Sequence, residues 1–222
     1  MPALSSLVML AVLLGLGTWQ VHRLAWKTGL LDQIARAEAQ PAIPLPADPP
    51  PFAKVSASGT MRNDLSALYG AEVRDTREGT VLGAQLLVPM ERPGQPTILV
   101  DRGWVPMDRP HPLAPDKGTV TVEGYVRAPE HAGMFSAKDD PVKRLFYTLD
   151  PEAIGTALGL TAIAPYTLVA LASAPPPQGY PDPARHLPRP PNDHLSYAIT
   201  WYGLAATLVA IFGLYARKVI RT

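Results

Sequence analysis

Two long apolar runs bracket this chain. Residues 2–21, PALSSLVMLAVLLGLGTWQV, contain no charged side chain, and Leu195 to Ala216 is a run of 22 uncharged residues. At ~1.5 Å rise per residue the second run is about 33 Å long as a helix, enough to cross a bilayer. Between them the pattern changes to short alternating segments rich in Val, Leu, Thr and Tyr, separated by Gly, Pro and Asp clusters. These read as strands: 54–62, 65–75, 79–92, 96–108, 119–128 and 166–172. One helix is expected among them, over 151–160, with Asp150 as N-cap, Pro151 at the first helical position and Glu152 in the first turn.

The expected fold is therefore an α+β membrane protein, in which two transmembrane helices, N- and C-terminal, flank a predominantly antiparallel β domain with one packed helix. The divisions are a first span over 2–22, a helical extension over 23–40, an extramembrane domain over 41–191, a second span over 195–216 and a basic tail over 217–222. Proline-rich stretches at 41–51 and 175–191 form connectors at the domain's two ends, because proline cannot continue a helix and favours extended backbone. A compact barrel or curled sheet would protect the strand edges.

The first run reads as a retained span rather than a cleaved signal peptide. No Lys or Arg precedes its apolar core, no small-x-small site closes it, and Trp19, His22, Arg23 and Trp26 follow as an interfacial anchor. Arg217, Lys218 and Arg221 place the C-terminus in the cytoplasm, and hence the middle domain outside. Arg23 and Lys27, beyond the first span, pull the other way.

Composition removes several chemistries. With 20 basic and 19 acidic residues the net charge is +1, which argues against nucleic acid as a partner. The absence of cysteine excludes disulfides, thiolate metal sites and covalent haem attachment. No HExxH, GxSxG or P-loop occurs, and His111, His131 and His186 are scattered beside Pro or Gly or in loop-like sequence, so the chain is read as not an enzyme.

The candidate chemistry lies at the ends of the spans. His194 stands where the polar stretch Asn192–His194 meets the second apolar run, and in a helix Tyr197 and Trp201 follow it at i+3 and i+7. An imidazole with two flat aromatics suits a haem with His194 on its iron. The alternative is a capped helix start with an interfacial aromatic belt. Trp19, His22 and Trp26 repeat the spacing on the first span, with Arg23 adjacent. If the spans form a hairpin, His22 and His194 could share one iron and Arg23 could pair a propionate; the alternative is interfacial anchoring. In the block DRGW, Arg102 is either a carboxylate partner or a strand-end salt-bridge residue, and Trp104 is core mass.

Three blocks, LGTWQVHRLAWK from Leu16, LVDRGWVP from Leu99 and NDHLSYAITWYGLA from Asn192, together resemble the surfeit locus protein 1 (Shy1-like) family. Lesser matches are GTVLGAQLLVPM and FYTLDPEAIGTALGL, from Gly79 and Phe146. The resemblance implies an assembly factor for haem–copper cytochrome c oxidase that binds haem a and assists its insertion into subunit I. It implies subunit I, other assembly factors and membrane lipid as partners. It also implies a multi-pass protein of the bacterial inner membrane with a periplasmic domain, or of the mitochondrial inner membrane in a eukaryote. The family's histidine falls on His194, its Tyr and Trp on Tyr197 and Trp201, its RGW element on Arg102, Gly103 and Trp104, and its first-span residues on Trp19, Gln20 and Arg23. His22 has no such counterpart, and the leading tail is shorter than the resemblance implies. The alternative function is a cofactor-free membrane scaffold that stabilises the subunit I intermediate.

Overall fold

A computed structural model describes residues 2–76, 79–107, 118–172 and 179–220. His111 lies outside the described residues. The chain divides into two compact units, residues 1–36 with 188–222, and residues 37–187.

The first unit consists of most of one long helix, α1 (Pro2–Ala39), and a second, α3 (His194–Ile220). Both are long and apolar enough to cross a membrane. The expected first span and helical extension are one continuous helix, unbroken at Gly29. Along the part of α1 that lies opposite α3, the less exposed positions are Ser6, Leu10, Leu13, Leu16, Gly17, Gln20 and Leu24, which apart from Leu16 recur at steps of four and three. On α3 they are His194, Ala198, Trp201, Ala205, Leu208, Phe212 and Ala216, again at steps of three or four. This is the repeat of two helices packed along a left-handed seam. Small residues allow close approach, as is usual between membrane helices. A Cβ on Gly17 would lie 2.9 Å from the ring of Tyr202.

The second unit is built on β1 (Ile43–Pro44), β2 (Lys54–Met61), β3 (Ala67–Thr76), β4 (Gly79–Arg92), β5 (Gln95–Pro106), β6 (Val120–Arg127), β7 (Leu145–Phe146) and β8 (Ile163–Ala170). Strands β2, β6, β8, β5 and β4 are neighbours in that order, and β4 returns to β2 to close a ring. Closure rests on a short register, Thr60 opposite Glu91 and Met61 opposite Met90. It is possible because β4 is long: its first part pairs with β3 and its last residues with β2. Most pairings are antiparallel, but β5–β8, β3–β7 and β1–β2 are parallel.

The barrel encloses Val55, Leu86, Val88, Ile98, Val100 and Leu168, all buried. The intervening residues Leu87 and Leu99 point to the opposite face. There they meet α2 (Pro151–Ala157) through Ile154 and Leu158, together with Phe146 and Leu149. Burial on both faces is why 86–88 and 98–100 read as continuous apolar runs rather than alternating ones. Helix α2 starts where the sequence indicates: the Asp150 carboxylate accepts from the backbone N–H groups of Glu152 and Ala153 at 3.0 and 3.2 Å.

The proline-rich stretches are attached to the sheet. Pro44 lies in β1, and Phe52 donates its N–H to the Val126 carbonyl. At the other end Asp182 exchanges both backbone hydrogen bonds with Trp104, each 2.9 Å, and Leu187 is fully buried.

Candidate functional site

The polar contacts of the helix pair lie along the seam. His194 Nδ1 is 2.7 Å from Gln20 Oε1. The Thr18 and Tyr202 hydroxyls are 3.1 Å apart, and the Asn192 amide donates to the Thr28 hydroxyl at 3.4 Å. The order of these contacts makes α1 and α3 antiparallel neighbours. Gln20 is only 8% exposed although it is a carboxamide within an apolar helix. With the carboxamide oxygen as acceptor, Nδ1 is the donating nitrogen, and Nε2 is the nitrogen that a neutral imidazole would offer to a metal. Fixing one ring nitrogen by a hydrogen bond is how proteins orient a metal-binding imidazole and leave the other nitrogen for the metal.

The aromatic neighbours divide. Trp201 shares the seam with His194, whereas Tyr197 is 56% exposed. The reason is helical geometry: a seam repeating as four and three takes 194, 198 and 201, which leaves 197 about 60° to one side. On α1, Trp19, His22 and Trp26 are exposed and the seam belongs to Gly17, Gln20 and Leu24. The structure thus brings His194 to Gln20 rather than to His22. Among the described residues no group of three or more His, Asp or Glu side chains is placed to hold a metal ion. The Arg23 guanidinium lies 4.8 Å from the centre of the Trp26 ring.

Sequence reasoning placed Gln20 in a motif but gave it no role at the site. The signal was available: a lone amide in an apolar run must find a partner in the hydrocarbon region or be costly.

The Asp101–Trp104 element belongs to the barrel and does structural work there. The buried Asp101 carboxylate accepts the Gly103 N–H at 3.0 Å. Burial pushes its carboxyl up to about 6, only partly offset by the Gly103 N–H and by Arg127 and Arg74. Gly103 has φ of +118°, and a Cβ there would strike the backbone carbonyl of Asp182. Trp104, 1% exposed, donates its indole N–H to the Glu72 carbonyl at 3.1 Å and meets Tyr180 with ring centres 5.5 Å apart. Arg102 donates to Asn63 Oδ1 at 3.4 Å.

Beside this element is a cavity of about 340 Å³, lined by Asp101, Arg74, Arg127, Tyr125 and His186 among others. Its cations have partners. Arg127 binds Glu130 at 2.6 Å and the Tyr69 hydroxyl at 2.9 Å. Arg74 binds Glu72 at 2.8 Å and Asp182 at 3.3 Å. No Ser, Thr or Cys nucleophile occurs among the described lining residues.

The comparison with known proteins decides the family. The SURF1 family model matches residues 7–206, a range that includes most of α1, the first half of α3 and the whole barrel. The chain belongs to the SURF1 family. A SURF1-like protein of Monosiga brevicollis is 32% identical over 225 residues, covering 93% of this chain and 84% of its own. Surfeit locus protein 1 of Rattus norvegicus is 32% identical over 232 residues, covering 95% and 73%. A SURF1-like protein of Rickettsia bellii is 29% identical over 240 residues, covering 97% and 91%. The Gln20–His194 pair and the Asp101–Trp104 element both fall inside the family match.

Proposed function

We propose that this chain is a membrane-anchored assembly factor for haem–copper cytochrome c oxidase, and that it holds haem a as cargo for subunit I on His194. Family membership and the motif resemblance support the assembly role. The observation that carries the cargo reading is the 2.7 Å contact between His194 Nδ1 and Gln20 Oε1. It leaves the ligating nitrogen of an oriented imidazole free of described partners at the end of an apolar helix.

In this reading α1 and α3 cross the bacterial inner membrane, or the mitochondrial inner membrane, with the barrel on the periplasmic or intermembrane-space side. The haem would bring an iron able to take an imidazole nitrogen, and an apolar macrocycle. The chain's own residues bind and orient. Gln20 orients the imidazole, Trp201 supplies aromatic surface on the seam, and the outward ring of Tyr197 offers a second apolar wall. Arg23 is the weaker propionate candidate, since Trp26 is already its neighbour, and Arg102, bonded to Asn63 in the barrel, is assigned no role. His22 is assigned no ligand role.

The test is oxidase haem content in cells whose only copy of this chain is His194→Ala. Loss of haem a from subunit I, with the variant chain present at normal level in the membrane, is the expected result. Unchanged haem content would favour a cofactor-free scaffold.

A further inference from the structure

The segment between β6 and β7 displays apolar side chains where a water-facing loop would carry polar ones. Met134, Phe135 and Val142 are 93, 96 and 94% exposed, and the next most exposed large apolar side chain among the described residues is Leu214 at 68%. They are thus barer than any large apolar side chain described on the helices long enough to cross a membrane.

Their exposure is built. Met134 and Phe135 occupy the two central positions of a turn closed by Ser136 N–H to the Gly133 carbonyl at 3.1 Å and by Gly133 N–H to the Ser136 hydroxyl at 2.8 Å. Val142 and Lys143 occupy the tip of a second turn, closed by Arg144 N–H to the Pro141 carbonyl at 3.2 Å. Tip positions ordinarily carry Gly, Pro, Asn, Asp or Ser.

The base of the loop is fastened. Glu130 N–H donates to the Leu149 carbonyl at 2.8 Å, and the Glu130 carboxylate accepts from Leu149 N–H, the Tyr69 hydroxyl and Arg127. Asp139 accepts from Tyr147 N–H at 2.6 Å. Asp140 accepts the Lys143 N–H and lies 3.4 Å from the Lys143 ammonium. Glu130, Asp139 and Asp140 thus all have partners, in the barrel, in the segment after β7 and in Lys143, while exposed Lys138 lies between the two tips in sequence.

We propose that these two tips are a membrane-contacting foot whose ligand is a lipid surface carrying anionic headgroups. Three apolar side chains are far too few for a specific protein interface, which needs about 800 Å² on each partner. They suit shallow insertion at the headgroup boundary, with lysine beside them facing anionic lipid. The bilayer that would take up α1 and α3 is the apolar phase to which the chain is tied, and tethering keeps its local concentration high. The inference rests on the membrane reading of those helices.

The chain has no cysteine, so a single introduced thiol reports one position. The full chain with Ala137→Cys carries a nitroxide between the intact tips, in nanodiscs of phosphatidylcholine with or without phosphatidylglycerol. A second chain with Val209→Cys reports on α3. The expected result is an Ala137 label accessible to oxygen and shielded from a water-soluble nickel quencher. The shielding should be greater with phosphatidylglycerol and abolished by Met134→Ser with Phe135→Ser, changes that touch no core residue. A water-exposed Ala137 label beside a lipid-buried Val209 label overturns the foot, as does shielding that appears only when a protein partner is added. A water-exposed Val209 label overturns the membrane reading itself.

Discussion

The Gln20 carboxamide oxygen and the His194 Nδ1 lie 2.7 Å apart, joining positions 174 residues apart in the sequence. One helix of the pair thereby orients the ring of a histidine on the other. The hydrogen bond makes packing of α1 against α3 and orientation of the imidazole one structural event.

Gln20→Ala should therefore weaken haem binding without removing the ligand. Loss of a partner that orients a metal-binding histidine costs about 10–100-fold in affinity. Haem titration of the full chain in detergent, followed by absorbance, should show that drop for Gln20→Ala and loss of saturable binding for His194→Ala.

Gly17→Val should loosen the helix pair, because any Cβ there already meets the Tyr202 ring at 2.9 Å. Overpacking of this kind costs about 1–3 kcal/mol. Thr28→Cys with Asn192→Cys places one thiol on each helix, and bifunctional cross-linking between them should fall when Gly17→Val is added.

Gly103→Ala should destabilise the barrel by about 2–4 kcal/mol, from backbone strain at positive φ together with the collision against the Asp182 carbonyl. It should also release residues 179–187, which the Asp182–Trp104 backbone pair fastens to β5. Limited proteolysis of the membrane-embedded chain should show new cleavage beside Arg185 before the barrel itself is cut.

Asp101 makes stability depend on pH in a defined direction. Its carboxyl is raised from 3.8 to about 6 in the folded chain, so the folded form holds this proton more tightly than the unfolded one. Its contribution is greatest below about pH 4, declines as pH rises from 4 to 6, and is level above that. The total change is about 3 kcal/mol, at ~1.4 kcal/mol per pH unit. Urea unfolding of the domain, followed by near-ultraviolet circular dichroism across that range, should show the decline. Asp101→Asn, which cannot ionise, should flatten it.

Much of the barrel was legible because its strands carry their own signals. The 79–92 strand was read at its observed limits, and the Asp150-Pro151-Glu152 start of α2 was read residue by residue, since turn and cap chemistry is local. Strand β7 was not legible, because Leu145 and Phe146 are too short for any period to appear. The parallel β5–β8 pairing and the two-residue closure of β2 on β4 depend on partners distant in sequence. At the candidate site the histidine was legible and its surroundings were not. Spacing at i+3 and i+7 grouped Tyr197 with His194 and Trp201, whereas packing against α1 selected Ala198 instead. The partner of His194 lies on the other helix, and only the hairpin brings Gln20 to it.

The central claim is that His194, held by Gln20, ligates haem a. It is tested most directly by the absorption spectrum of the full chain purified in mild detergent from cells that make haem a. The account expects haem a bands in the wild-type chain, weakened bands in Gln20→Ala, and none in a His194→Ala chain that is folded by circular dichroism. A wild-type chain without haem, or a His194→Ala chain with an unchanged spectrum, would contradict it.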